Sequence, residues 1–234
     1  GFVFPNFCVS IPIPLHAFLH QADLASAQYL FGLCTRGGTI SEAFEYINQI
    51  IAPQGKKLDA ELNVNIPWNH PVGKENVIAL TKDEETRRAL ESAMQHQLDV
   101  FSQAILAREP YIKPDTDITY EMPDWASILF KLPKSWNYQS HDFMYQRTLH
   151  FYSDEKCNGC GICEKVCLNR KITLVDKKPV WKKDVKCYAC MACVNYCPQQ
   201  AIQAKSSLLS PSSTAVNDRY HHPDITYKDI AGQR

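Results

Sequence analysis

Three short apolar runs open the chain: Phe2–Pro5 (Phe-Val-Phe-Pro), residues 28–34 (Gln-Tyr-Leu-Phe-Gly-Leu-Cys) and residues 62–66 (Leu-Asn-Val-Asn-Ile). Runs of this length suit strands of a parallel sheet covered on both faces. Between them the apolar period lengthens to that of a helix. Leu15, Phe18, Leu19 and Ala22 recur on one face behind Pro14, which can occupy a first helical position. Ala43, Phe44, Ile47, Ile50 and Ile51 follow Thr39-Ile-Ser-Glu42, a capping-box spacing. Strand, helix, strand, helix, strand predicts an α/β domain with right-handed crossovers. A second capping-box spacing, Thr81-Lys-Asp-Glu84, predicts a long helix ending before Pro110. Its stripe is Leu90, Met94, Leu98, Phe101 and Ile105.

Residues 110–150 change character. They hold Pro110, Pro114, Pro123 and Pro133 beside Tyr120, Trp125, Phe130, Trp136, Phe143 and Tyr145. So aromatic a stretch predicts a packed connector rather than a free linker, with short helices near 124–131 and 141–149. After Lys205 the chain turns to Ser-Ser-Leu-Leu-Ser-Pro-Ser-Ser, which reads as loop. The expected organisation is an α/β domain over 1–109, the connector over 110–150, a cysteine-rich domain over 151–205 and a tail over 206–234.

Cysteine placement changes the picture most. Of ten cysteines, eight lie between Cys157 and Cys197, and only Cys8 and Cys34 lie elsewhere. A small secreted scaffold would spread them along the chain. This distribution reads instead as a metal site attached to a reduced, cytoplasmic domain. Cys157, Cys160, Cys163 and Cys167 recur at Cys187, Cys190, Cys193 and Cys197, each shifted by 30 residues. Ile172 and Ile202 share that shift, so two copies of one unit are expected about a pseudo-twofold axis.

Each copy reads Cys-x2-Cys-x2-Cys-x3-Cys, and the second ends Cys197-Pro198. Three thiolates so spaced can wrap one face of a four-iron cube, while the fourth points to the neighbouring cluster. The expected sets are Cys157, Cys160, Cys163 and Cys197 for one [4Fe–4S] cluster, and Cys187, Cys190, Cys193 and Cys167 for a second. Gly159 and Gly161 let the backbone approach inorganic sulfur. Ile162, Ile172, Val194 and Ile202 are candidates to wall the clusters from water. Zinc also takes Cys-x2-Cys pairs, but as two separated pairs around one ion. Cys8 and Cys34 read as buried free thiols near strand ends.

The 234 residues suit one or two domains. Lys plus Arg and Asp plus Glu both number 25, so no chain-wide positive field attracts nucleic acid. The longest apolar stretch is cut by Pro5, Pro12 and Pro14, so no membrane span is expected. Residues 154–205 hold ten Lys or Arg against five Asp or Glu. Lys177, Lys178, Lys182, Lys183 and Lys186 gather between the two cysteine runs, either as a solvated hairpin or as a docking patch for an acidic redox partner.

Gly-Phe-Val-Phe-Pro-Asn-Phe-Cys (1–8), Cys-Thr-Arg-Gly-Gly (34–38), Asn-Ile-Pro-Trp-Asn (65–69), the doubled cysteine run and Arg-Tyr-His-His-Pro (219–223) occur in order. In these features the chain resembles fusion proteins, found mainly in anaerobes, that join a flavodoxin-like domain to a bacterial-type two-[4Fe–4S] ferredoxin. The resemblance implies a flavodoxin-like parallel sheet and electron exchange with redox partner proteins. It also implies FMN at the carboxyl ends of the strands. Asn6, Phe7 and Cys8 after the first strand, and Thr35, Arg36, Gly37 and Gly38 after the second, would border the flavin ring; Trp68 and Asn69 follow the third. As plain local structure, Thr-Arg-Gly-Gly is a tight strand-to-helix loop.

Two departures stand out. Leu168 replaces the proline that often follows the fourth cysteine of the first run. The chain also opens at what would be the third strand of such a domain, without its phosphate-binding loop. Upstream residues, and FMN binding in a longer chain, are therefore expected. The function expected is single-electron transfer through two [4Fe–4S] clusters, with a flavo-iron–sulfur reductase acting on a small molecule as the alternative. His16 and His20 sit on a helix, and no acid–base constellation accompanies them.

Overall fold

The computed structural model describes residues 1–7, 9–71, 84–119, 133–206, 214 and 219–233. They fall into two compact units, one within 1–67 and 84–142, the other within 68–83 and 143–234.

The first unit is built on three parallel strands in the order β1-β2-β3: β1 (Phe2–Pro5), β2 (Phe31–Arg36) and β3 (Ala60–Asn65). Phe4 pairs with Cys34, and Cys34 with Asn63. One face of the sheet, with Phe2, Phe4 and Cys34, packs against α1 (Ile13–Leu19) and α2 (Ala43–Ile51). The other face, with Leu62 and Val64, packs against α3 (Glu84–Ala107) through Met94, Leu98, Phe101 and Ile105. Helices lie on both faces, yet burial alternates along each strand: β3 reads Ala-Glu-Leu-Asn-Val-Asn, and Val3 of β1 is exposed.

Several local expectations shift. β2 starts at Phe31 rather than residue 28, because the preceding backbone is used elsewhere: the Leu30 amide donates to Asp59 Oδ2 at 2.8 Å. β3 runs two residues earlier than expected at its start and one at its end. The capping box over Thr39–Glu42 does not form. Helix α2 starts at Ala43, whose amide donates to Ser41 Oγ at 3.3 Å. Thr39 Oγ1 accepts from Asn6 Nδ2, and the Glu42 carboxylate pairs with Lys134. Phe18 remains 54% exposed and meets Phe2 edge-on. Residues 81–83, and with them the second capping box, lie outside the described residues.

In the connector, helix α4 runs Lys134–Thr148, longer than the expected 141–149. The helix expected near 124–131, with Tyr120, Trp125 and Phe130, lies outside the described residues. Burial of the remaining large aromatics is overturned in part: Trp136 is 64% and Phe143 62% exposed. Helical geometry gives the reason. Residues two apart point about 200° apart, so burying Tyr138 in the first core turns Trp136 outward. Tyr145, seven residues beyond Tyr138, packs against the core of the second unit while Phe143 faces out.

The second unit has two antiparallel pairs. Strand β4 (Leu149–Ser153) pairs with β7 (Ile202–Ser206), and β5 (Ile172–Val175) with β6 (Lys178–Trp181). Asp176 and Lys177 both have positive φ (48° and 60°), the twist a two-residue hairpin turn needs. Short helices α5 (Ile162–Lys165) and α6 (Ala192–Asn195) carry the third cysteine of each run, Cys163 and Cys193. Leu149, Ile172, Met191, Val194, Ile202 and Ala204 form the core between them. The tail, expected to be loop, contains α7 (Tyr227–Ala231), opened by a capping box between Thr226 and Asp229. Among the described residues no helix is long and apolar enough to cross a membrane.

Candidate metal centre

The 30-residue repeat is reproduced in the backbone. Helix α5 and helix α6 are in register under that shift. The Cys167 amide donates to Glu164 O, and the Cys197 amide to Val194 O, both at 3.3 Å. Left-handed residues also repeat: Gly159 and Ala189, Gly161 and Met191, Arg170 and Gln200. The first copy places glycine at two of these positions, while the second holds alanine and methionine in the same conformation. Backbone donors face sulfur in both copies: Lys171 N to Cys167 Sγ and Ala201 N to Cys197 Sγ, each at 3.3 Å. Ala189 N reaches Cys187 Sγ at 3.3 Å.

The eight cysteines border two cavities. Cys157, Cys160, Cys163 and Cys197 line one, with Ile162 and Ile202 among its apolar walls. Cys167, Cys187, Cys190 and Cys193 line the other, with Ile172 and Leu168. Val194 is fully buried in the core and lines neither. Among the described residues no three His, Cys, Asp or Glu side chains converge closely enough for a single ion. Rings of sulfur around a cavity fit a multinuclear cluster, which fills the centre of its ligand shell.

Burial resists the ionisation of Cys163, Cys187, Cys190 and Cys193. Burial pushes Cys163 up to about 11; a backbone donation at Glu164 opposes the rise, and Cys197, Cys160 and Cys157 add to it. Burial likewise pushes Cys187 up to about 11, with Cys190 and Cys167 adding to the rise and Lys171 opposing it. Cys193 is raised well above the usual thiol range, by burial first and then by Cys190, Cys187, Cys167 and, from the other set, Cys163. Sulfurs gathered around one cavity, some of them buried, become thiolates together only when bound cations offset the charge, as iron does.

Four supporting residues carry no sequence signal of the role they play. Gln146 in α4 donates from Nε2 to Cys187 O at 2.8 Å and accepts from the Cys187 amide at 3.0 Å. Gln203 and Thr214 are buried polar side chains bonded to each other at 2.8 Å beside β7. Arg219 donates to Val194 O, Gln200 O and Gln203 Oε1.

Residues 156–202 match the family model for the 4Fe-4S dicluster domain. The chain carries a ferredoxin-type domain. Its chemistry is that of iron–sulfur electron transfer, and the cysteine-rich stretch from 157 to 197 lies wholly within the matched segment. No curated protein and no solved structure shows a match to the chain.

Of the flavin candidates, Asn6 to Gly38 lie in the first unit, whereas Trp68 and Asn69 fall in the second, where Asn69 O accepts from Asn195 Nδ2 at 2.7 Å. Asn6 donates from Nδ2 to Thr39 Oγ1 and Ile40 O, and its amide donates to Thr35 O at 2.7 Å, at the carboxyl ends of β1 and β2. Phe7 forms a bridge with Ser10, and Cys8 lies outside the described residues. Arg36 is 2% exposed and spent on protein partners: its guanidinium pairs with both Asp115 oxygens and with Asn65 Oδ1. Gly38 is left-handed and closely backed by Thr119, whose amide donates to Gly38 O at 2.9 Å. Gly37, beside it, is half-buried. Cys34 is a buried free thiol.

Proposed function

We propose that this protein carries single electrons through two [4Fe–4S] clusters, held respectively by Cys157, Cys160, Cys163 and Cys197 and by Cys187, Cys190, Cys193 and Cys167. The observation that carries this reading is the grouping of cavity walls, in which each run contributes three cysteines to one cavity and its fourth to the other. Such clusters supply reversible one-electron chemistry. The residues of this chain hold and tune that chemistry. Cysteine sulfurs bind iron, amides of Lys171, Ala189 and Ala201 donate to sulfur, and Ile162, Ile172 and Ile202 limit water. Cys163 and Cys193 lie on the two short helices, which pack against each other. They mark the side on which an electron crosses from one set to the other.

The partner is a redox protein with an acidic docking face. Lys177, Lys178, Lys182, Lys183 and Lys186 are all exposed around the β5–β6 hairpin, and Lys178 Nζ reaches Cys157 O at 3.4 Å. Positive charge so close to a cavity rim speeds encounter with an acidic surface.

The experiment is iron analysis with ligand replacement. About eight iron atoms per chain are expected after anaerobic reconstitution. Cys167→Ser should disturb the cluster of Cys187, Cys190 and Cys193, although Cys167 belongs to the first run. EPR showing loss of the other cluster instead would overturn the crossed sets.

A second reading couples this electron transfer to FMN in a longer chain, at a flavodoxin-like domain, either as a carrier or as a reductase of a small molecule. It is supported by the three parallel strands and by the polar cluster of Asn6, Thr35, Thr39 and Ser41 at their carboxyl ends. With Arg36 tied to Asp115 and Gly38 backed by Thr119, that edge offers a flavin few free donors. Acid-released flavin should therefore be well below one per chain in the 234-residue protein; stoichiometric FMN would make flavin binding a property of these residues.

A further inference from the structure

The 30-residue repeat breaks at one charged position next to sulfur. Lys171 follows Cys167 by four residues, and its ammonium is tied to Lys182 O at 2.7 Å and to Val185 O. There its charge is held two residues before Cys187, and both residues line the second cavity. The equivalent position in the second copy is Ala201, which is buried and has no charge to offer.

The missing cation comes from farther along the chain. Arg219 Nη1 donates to Val194 O at 3.1 Å and Nη2 to Gln200 O at 2.7 Å, the carbonyls three residues before and three after Cys197. Nη2 also reaches Gln203 Oε1 at 3.1 Å, and Gln203 in turn donates from Nε2 to Asp154 at 2.7 Å. Beside this grip, His221 stacks on Tyr196 with ring centroids 4.6 Å apart. Arg219 Nε is buried and has no hydrogen-bond partner among the described residues. The two carbonyl contacts hold the guanidinium against the turn that carries Cys197. Arg219 also lies beyond residues 156–202, so it is an addition to the dicluster domain rather than part of its matched segment.

We propose that Arg219 is the fixed cation of the set Cys157, Cys160, Cys163 and Cys197, a positioning residue that raises the reduction potential of that cluster alone, as Lys171 does for the other. The proposal rests on the ligand sets given above. Adding an electron increases negative charge at the sulfurs, so a half-buried guanidinium held beside one of them stabilises the reduced state more than the oxidised. Asp154 opposes part of that field. Reciprocity follows: if Arg219 favours the reduced cluster, reduction tightens the hold on residues 219–231 by the same factor.

The test is an EPR-monitored redox titration of the reconstituted full chain as unmutated protein, Arg219→Gln, Arg219→Lys and Lys171→Gln. For Arg219→Gln, the reduction equilibrium of one cluster should weaken about tenfold, equivalent to about 59 mV for one electron. The other cluster should hold its potential, and Arg219→Lys should stay near the unmutated value. Lys171→Gln should lower the second cluster instead. Equal shifts of both clusters under Arg219→Gln, no shift, or both variants acting on the same cluster would overturn the proposal. A second measurement needs no variant. Hydrogen exchange of residues 219–231 in the unmutated protein should slow about tenfold on reduction, and unchanged exchange would overturn the proposal even if Arg219→Gln failed to retain iron. Iron in the unmutated protein keeps the two levels apart. Far fewer than about eight atoms would sink the ligand sets, whereas full iron without these shifts would sink only the role of Arg219.

Discussion

Gly159 lies directly against the backbone of Lys177: a methyl group at residue 159 would come within 2.6 Å of the Lys177 carbonyl oxygen. Gly161 is also left-handed, but its methyl would meet only Leu174 Cδ1, at an ordinary 3.7 Å. Gly159→Ala must therefore move either the hairpin turn or the cysteine loop. Its expected effect is loss of about half the iron, from the cluster at Cys157 and Cys160. Gly161→Ala should keep its iron and cost about 1–2 kcal/mol, the left-handed strain of an L residue. Iron analysis and thermal loss of visible absorbance distinguish the two.

Ala189 occupies the position equivalent to Gly159, at φ 54°. Ala189→Gly should release that strain and stabilise the domain by about 0.5–1 kcal/mol after the added unfolded-state entropy of glycine. The readout is a rise in the temperature at which cluster absorbance is lost. A fall would mean that packing by the Ala189 methyl outweighs the strain.

The Arg36 side chain is fully buried, whereas Asp115 is about a quarter exposed. Removing the carboxylate charge leaves a buried guanidinium uncompensated. Asp115→Asn should destabilise the first unit by about 2–3 kcal/mol, at the low end for such pairs because water reaches Asp115. Denaturant unfolding followed by far-UV circular dichroism measures this, and cluster absorbance should be unaffected in native buffer.

Cys34 is shut inside the first core, and burial pushes its thiol up to about 12, against smaller opposing effects from Ser41 and Arg36. At pH 8 it is protonated and inaccessible, so iodoacetamide should not label it until the unit unfolds. Cys34→Ser should leave the iron content unchanged. Rapid labelling of native protein would show that the sheet opens locally around β2.

The cysteine runs were the most legible part of the chain because ligation is encoded at short range. Spacings of three and four residues shape a turn whatever surrounds it, and the repeat shift appears in α5, α6 and their backbone donors alike. The parallel sheet was legible from its apolar runs, but its ends were not, since Leu30 and Asp59 bond each other in ways no local pattern announces. The failed capping box shows the same limit: Thr39 and Glu42 had better partners in Asn6 and Lys134, the latter 92 residues away. Trp136 was misjudged because aromatic content predicts burial on average, while helical phase decides which ring is buried. Arg219 was invisible as a site residue because its meaning depends on three carbonyl and amide oxygens brought together only by folding. The left-handed Ala189 and Met191 became readable only once the first copy's glycines were laid over them.

The strand pairing of the second unit has a consequence for its covalent connectivity. Each cysteine run is preceded by one strand and followed by another, yet β4 pairs with β7 and β5 with β6. Every strand thus finds its partner in the opposite half, just as each proposed cluster borrows one sulfur from the opposite run. Neither half is complete without the other. A single cleavage between Asp176 and Lys177, at the exposed tip of the hairpin, would leave two peptides bound by both strand pairs and by iron at two sites. The loop joining the halves is then expendable for holding them together, and iron chelation, rather than proteolysis, is what would let the nicked fragments part.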